Sequence, residues 1–456
     1  MAYNPDEPVF NVQPETTIKP IVGVEERPKK WWETLFFAWQ ITLVDFTPFI
    51  WAGMFVSLAG LPDSIIPIMI RACFLAMGVG TLIQTIFGNR LPIVQGPSSA
   101  VLTAMGGVTA TYGFPAMWGA VLVGGMLEFF IGASRLLGKI KKLIPPVVTG
   151  SVVATIGFVA ARIAITWIFT IREPKYFILG AIAFLFALVL KFKFKGMISR
   201  CFVLIAVVII GVIVSSFAGA FDWNRVAQAP LFALPEIFPF RDHSVSGMSS
   251  IVVFSLAAIL GGFTGYIGSV FESIGDYAAT CAVTDQVYTV KHINRGIAAE
   301  GVGCIASGFL GALPVTSYTQ NIGILAATGI ASRFVTQIAA VIFLLYGLSP
   351  KLAMILACIP RAVVGSVFII SAGLIMFSGV DVLLSDKKGM GNNLVAGTTM
   401  GLAVMIPWYA ATGGAAWVKT LHPFLQMYLT NNIFIAVTVG VFMNIFVNMV
   451  LKPKDQ

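Results

Sequence analysis

Charge is what this chain has least of. Only 11% of its 456 residues are charged, against 57% hydrophobic, and the mean hydropathy is +0.90. Soluble globular domains carry about a quarter charged residues, so that class is excluded. Cysteine is sparse: Cys73, Cys201, Cys281, Cys304 and Cys358 lie apart with no Cys-x-x-Cys pair, which argues against disulfides and zinc. The three histidines, His243, His292 and His422, fall in loops or segment ends and make no metal constellation. No phosphate-binding Gly-x-x-x-x-Gly-Lys-Ser/Thr loop occurs, since Gly132 to Lys139 is one residue too long and lacks the hydroxyl. Nor is there a Ser/His/Asp arrangement at depth for an intramembrane enzyme. The sequence implies no cofactor.

A net charge of +9 would suit a nucleic-acid partner, but the placement of the cations argues against one. They cluster in short loops: Arg27, Lys29 and Lys30; Arg90; Arg135, Lys139, Lys141 and Lys142; Lys191, Lys193, Lys195 and Arg200. Later come Lys291 and Arg295, Arg333, Lys387 and Lys388, then Lys452 and Lys454. If every second loop is cytoplasmic, nearly all lie inside, which puts both termini in the cytoplasm and makes the span number even. The charge then orients the chain in a cell membrane. The first thirty residues are polar and Pro-rich, and read as a cytosolic tail, not a signal peptide.

What is abundant is apolar sequence. At about twenty residues per span it accommodates roughly twelve to fourteen helices. Segments from Leu35–Leu58 to Phe202–Phe217 precede a polar, Pro-containing external loop from Asp222 to Ser249. Segments from Ser250–Ala282 to Ile433–Val450 follow it, seven on each side. Ile144-Pro-Pro-Val-Val-Thr-Gly-Ser-Val152 returns as Ile359-Pro-Arg-Ala-Val-Val-Gly-Ser-Val367, and Leu91-Pro92-Ile93 returns as Leu313-Pro314-Val315. Two echoes in matching order indicate a duplicated unit. An odd number of spans per unit inverts the second copy.

The stretch from Leu313 to Gly329 cannot be one ordinary membrane helix. Pro314 and the Val-Thr-Ser-Tyr-Thr run after it favour extended backbone, and Gln320-Asn321 makes a helix start. Irregular backbone at membrane depth survives only when buried in protein or lining a cavity. Leu91 to Ser99 repeats the pattern, with Gly96, Pro97 expected in the first helical turn, and Ser98 and Ser99 beside it. If inverted, the two half-helices point their free N–H groups into one cavity.

Each ionisable residue within an apolar run is a functional candidate, because a charge there costs at least about 2.5 kcal/mol. Glu272 and Asp276 are four apart and share a helix face, so two like charges repel unless one is protonated or partnered. The alternative is a helix end wetted by cytosol, which suits Asp276 better. Glu300, followed by small residues, could answer the half-helix amides, carry a proton, or pair at the interface with Arg295. Asp45 lies deep in the first span. Glu128 and Arg162 suit structural pairing.

Gln320-Asn-Ile-Gly323-Ile-Leu-Ala-Ala-Thr328-Gly329 matches every fixed position of the signature of the nucleobase–ascorbate transporter family (nucleobase:cation symporter-2). Gln95-Gly-Pro-Ser-Ser99 resembles that family's third-span motif and Phe271-Glu-Ser-Ile-Gly-Asp-Tyr277 its eighth-span motif. The resemblance implies an all-α multi-pass membrane protein of fourteen segments in two inverted seven-segment repeats, with short strands before the half-helices of segments 3 and 10. It implies a core domain (34–135 and 250–350) and a gate domain (136–220 and 351–451). These are flanked by tails 1–33 and 452–456 and separated by the external loop 221–249. A homodimer through the gates and an elevator-like core movement follow from the same likeness.

On this pattern Glu272 accepts hydrogen bonds from ring N–H groups of a nucleobase and Gln320 pairs with the ring through its amide. Asn321, Gly323, Tyr318, Ser98 and Ser99 shape the substrate site. Glu272, Asp276, Glu300 and Asp45 form the proton-coupling or polar network, and Thr328 and Gly329 tune selectivity. Gln first and Gly last in the signature look like xanthine- and urate-type members; uracil members tend to carry Glu and Arg. Many bacterial relatives have a Gln-His pair in the first span, where this chain has Gln40-Ile41. The expectation is a symporter importing an oxopurine, xanthine or uric acid, with a proton; sodium ranks second as the coupling ion. A uracil symporter and an inorganic-anion transporter or channel of the same architecture are the alternatives.

Overall fold

The computed structural model describes residues 4–9, 19–97, 99–135, 145–240, 251–384 and 389–451. Its main elements are α1 (Trp31–Val44), α2 (Pro48–Leu58), α3 (Ile66–Ile86), β1 (Gln95–Pro97), α4 (Ser99–Tyr112), α5 (Phe114–Ala133), α6 (Pro146–Ile168) and α7 (Pro174–Lys193). After α8 (Phe202–Phe217) come α9 (Leu256–Val283), α10 (Val290–Leu310), β2 (Val315–Ser317), α11 (Thr319–Thr328), α12 (Arg333–Gly347) and α13 (Pro350–Ala357). The chain ends with α14 (Arg361–Leu384), α15 (Met390–Ala411) and α16 (Asn432–Leu451).

Nine helices among the described residues are long and apolar enough to cross a membrane, with α1 and α2 taken together as Trp31–Leu58. Five further stretches fall short, each for a visible reason. α4, α8 and α11 are too short. α10 has the length but carries Lys291, Arg295 and Glu300. The chain bends by 80° between α12 and α13. The expected continuous segment Leu35–Leu58 is broken at Asp45–Thr47. Pro48, first residue of α2, has no N–H to give the Val44 carbonyl and its ring would collide with it, so the helix stops and restarts.

The molecule turns on a crossing of two short strands. β1 and β2 pair antiparallel in the register Gln95↔Ser317, Gly96↔Thr316 and Pro97↔Val315. Antiparallel strands send the helices that follow, α4 and α11, away in opposite directions. Counted from the Leu-Pro of each arm, Gln95 and Ser317 are equivalent positions, and they face each other, with Gln95 Nε2 donating to Ser317 Oγ at 3.0 Å. Pro97 is the last residue of β1, not in a helical first turn as expected; its fixed φ also suits extended backbone at a strand end. Gly96 is required by close approach, since a Cβ there would stand 2.4 Å from Tyr318 Cζ.

Glycines also set the closest helix crossings. A Cβ on Gly150 would meet Leu383 N at 2.4 Å, one on Gly157 Met376 N at 2.4 Å, and one on Gly365 Ala164 O at 2.6 Å. α6 and α14, the bearers of the first sequence echo, therefore run antiparallel with backbones in contact. In the same way α5 crosses α10, where Gly301 would meet Phe129 N at 2.3 Å, and α3 crosses α12, where Gly78 would meet Ala340 O at 2.8 Å. Each crossing joins one helix from either half of the chain.

The described residues of the N-terminal segment bond to the helices beside them. Val9 N–H donates to Tyr288 O and Val290 N–H to Glu7 O, both at 3.0 Å. Ile21 N–H donates to Gly329 O at 2.7 Å and Ala331 N–H to Val22 O at 2.9 Å. Gly329, at φ +68°, ends α11 in a left-handed turn that only a residue without Cβ adopts freely, and Ile21 packs on it. Of the expected external loop, Trp223–Gln228 is a short helix. Residues 233 and 238 bond Leu348 and Phe309 through their N–H groups. Residues 241–250 lie outside the described residues.

Candidate functional site

A cavity of about 320 Å³ opens where α11 begins, bounded by the α1–α2 break (Val44, Thr47), α9 (Glu272), α11 (Gln320, Gly323) and α14 (Ser371, Leu374, Ile375). Val153, Lys191, Phe202 and Val203 close it from α6, α7 and α8. Most of the wall is apolar, with a few polar side chains converging, as small-molecule sites usually are. Glu272 and Gln320 are both half-buried and share this wall. Gly323 is exposed to it, and a Cβ there would touch nothing within 4 Å. The N-terminal turn of α11, with its intrinsically unbonded N–H groups, lies at the same place.

Other residues expected at the site brace it from behind. Asn321 is fully buried and donates from Nδ2 to Pro92 O at 2.7 Å, which ties α11 to the approach of the opposite arm; it is not part of the cavity wall. Tyr318 is buried, its hydroxyl on Pro97 O at 3.3 Å and its ring over Gly96. Thr328 donates to Ile324 O at 2.9 Å and accepts from Ile330 N at 3.2 Å. With Gly329 it shapes the far end of α11, away from the cavity. Ser99 opens α4. Ser98 lies outside the described residues.

The four acids separate by environment. Glu272 alone lines the cavity. Asp276, one turn on, is buried at 5% exposure, so it is not a wetted helix end. Glu300 is buried at 1% and collects hydroxyls: Ser269 Oγ at 3.1 Å, Ser273 Oγ at 2.8 Å and Tyr277 Oη at 2.8 Å donate to it. Ser317 Oγ, from β2, approaches at 3.5 Å. The alternative pairing with Arg295 is absent, since that guanidinium donates to Phe87 O at 3.0 Å. Asp45 ends α1 fully buried, and neither carboxylate oxygen has a hydrogen-bond partner among the described residues.

Three residues read otherwise in the sequence. Lys191 belongs by sequence to a basic loop, yet it is in the last turn of α7 and lines the cavity, its ammonium 5.3 Å from the centre of the Phe202 ring. Glu128 and Arg162 do not pair: Arg162 is exposed, whereas Glu128 is fully buried beside Glu300 and Cys304. The glycines flanking Glu128 (Gly124, Gly125, Gly132) were the available signal that this face of α5 packs on protein.

Comparison with known proteins finds permeases among the chain's relatives. A family model described as "Permease family" (Xan_ur_permease) matches residues 32–412. The uric acid permease PucK of Bacillus subtilis is 31% identical over 356 residues, 75% of this chain and 80% of that one. The xanthine permease of the same organism is 29% identical over 388 residues, 83% and 85% of the two chains, and its uracil permease 30% identical over 330 residues, 69% and 74%. Among solved structures, the transmembrane domain of the cyanobacterial bicarbonate transporter BicA superposes with a TM-score of 0.56 at 15% identity, covering 92% of this chain and 99% of that one. The murine anion transporter Slc26a9 gives 0.59 at 12%, covering 93% and 69%. At such identities these two establish a shared membrane-transporter fold and nothing about cargo. With the family model spanning most of its length and the signature Gln320–Gly329 forming the half-helix α11 and its cap, the chain belongs to the nucleobase–ascorbate transporter family.

Proposed function

We propose that the protein is a secondary active transporter that imports an oxopurine, xanthine or uric acid, together with a proton. The single observation that carries this reading is that Glu272 and Gln320 line one cavity at the mouth of α11. A purine ring is flat and presents alternating donors and acceptors along its edge. A carboxylate accepts ring N–H groups, a primary amide both donates and accepts, and Gly323 leaves room for the ring. A site built to satisfy such a pattern rejects analogues that leave a buried group unpaired. Gln320 at the start of the signature and Gly329 at its end favour the oxopurine over uracil.

In this reading the five helical stretches that fall short complete fourteen segments, seven to a repeat and mutually inverted. The antiparallel pairing of β1 with β2 and the glycine crossings between halves support it. Helices α1–α5 and α9–α12 with the two strands form the moving core; α6–α8 and α14–α16 form the gate, through which two copies join. The cavity lies between these groups, so an elevator-like displacement of the core would carry it from one side to the other. Both termini are assigned to the cytoplasm of the cell membrane, by the loop cations. The proton is assigned to the four acids Glu272, Asp276, Glu300 and Asp45, and sodium is the second choice.

The test is competition of radiolabelled xanthine uptake by a nucleobase panel, with and without a protonophore. Competition by oxopurines and collapse with the protonophore are expected. Uptake of chloride, sulfate or bicarbonate, with no purine-induced thermal stabilisation, would replace this reading with an anion transporter.

A further inference from the structure

Glu128 takes no part in the cavity, yet like Asp45 it is a buried acid with little to compensate it. It is fully buried in α5, and neither carboxylate oxygen has a hydrogen-bond partner among the described residues. The close crossing of α5 on α10, where Gly125 would meet Gly301 O at 2.9 Å, sets it against Glu300 and the Cys304 thiol. That thiol is the one donor beside it, a weak one, and its single hydrogen is shared with Val315 O, 3.2 Å from the sulfur. From α9 it faces Tyr266, whose hydroxyl donates to Val121 O at 2.8 Å, and Tyr277, whose hydroxyl donates to Glu300. α4, also packed on α5, brings one ionisable side chain, Tyr112 at its last position. None of these groups is a cation.

Two adjoining carboxyls in such an interior do not both ionise, because each lone buried charge costs several kcal/mol and the pair repels. Glu300 has hydroxyl donors to hold a negative charge. Glu128 has none, so the proton of the pair resides on Glu128. We propose that Glu128 and Glu300 form a two-carboxyl site for one exchangeable proton, with Glu128 its resident holder. The step is a plain proton transfer: the O–H bond on Glu128 breaks, an O–H bond forms on Glu300, and the negative charge moves the other way. A neutral Glu300 accepts less strongly from Ser273 and Ser317. Ser273 Oγ also receives Ser317 N–H at 3.4 Å, so the proton's position is felt in β2, three residues before Gln320. This assignment rests on the proton-symport reading.

The test uses the full-length protein and the variants Glu128→Gln and Glu128→Asp. In the detergent-purified protein at neutral pH, infrared spectroscopy is expected to show a carboxylic-acid C=O band that Glu128→Gln lacks and Glu128→Asp shifts. In proteoliposomes under an imposed proton gradient, Glu128→Gln should lower uphill xanthine accumulation by at least about tenfold and flatten its pH profile. Glu128→Asp should restore part of that profile, which a purely structural role would not predict. A carboxylic-acid C=O region that Glu128→Gln leaves unchanged overturns the proposal, as does a Glu128→Gln variant that concentrates xanthine along the wild-type pH profile. If wild type concentrates no xanthine, the transport reading falls, and the infrared comparison still decides where the proton sits.

Discussion

The two arms of the crossing began as the same grammar and now do different work. In the first, Gln95 is fully buried: its backbone N–H donates to Thr81 Oγ1 at 2.9 Å and its side-chain amide donates to Ser317 Oγ. In the second, Gln320 stands three residues beyond Ser317, the equivalent of Gln95, and faces open cavity. Gly96 is filled over by Tyr318, while nothing lies within 4 Å of where a Cβ of Gly323 would be. One arm holds the crossing together while the other presents Gln320 to the cavity. In a membrane interior, where an unsatisfied polar group is costly, that division is what lets a site stay both polar and folded.

If the division is real, the largest effect belongs to the acid opposite the open arm. Glu272→Ala should reduce proton-coupled purine uptake by about a hundredfold or more, since it removes the acceptor for ring N–H groups; unchanged uptake would sink the scheme. Gln320→Ala is expected to raise the apparent KM by about tenfold, with a near-normal melting temperature. Gln95→Ala should do the reverse, lowering the melting temperature while nucleobase KM moves little; equal effects from the two glutamines would dissolve the comparison. Gly96→Ala should cost about 1–3 kcal/mol of stability by overpacking against Tyr318, whereas Gly323→Ala should leave thermal unfolding in place and weaken purine competition by a few-fold at most. The smallest effect expected is from Lys191→Gln. It should lower uptake of uric acid, which ionises readily, more than that of a neutral purine, by about threefold in the ratio; a ratio that stays fixed places Lys191 outside the substrate's reach.

The broken character of the second arm was legible because Pro314 and the β-branched run after it cannot continue a helix, and the signature from Gln320 to Gly329 named the family. The first arm was legible only in outline. Pro97 fits a helix start and an extended strand equally by φ, and the pairing with β2 decides between them. The break at Asp45–Thr47 is hard to see in the sequence, although Pro48 carries its signal, because apolar residues dominate on both sides of it. Glu128 and Lys191 were misplaced for a related reason. A lone charge in or beside an apolar run looks the same in sequence whether it faces water, lipid or a packed neighbour. Only the glycine-mediated crossing of α5 on α10 and the position of α7 beside the cavity separate those cases.

The most direct test is a structure of the purified protein with xanthine bound. The ring should lie at the mouth of α11, its N–H edge on the Glu272 carboxylate and its carbonyl edge within reach of the Gln320 amide. Xanthine bound away from both side chains, or absent at saturating concentration, would contradict the account.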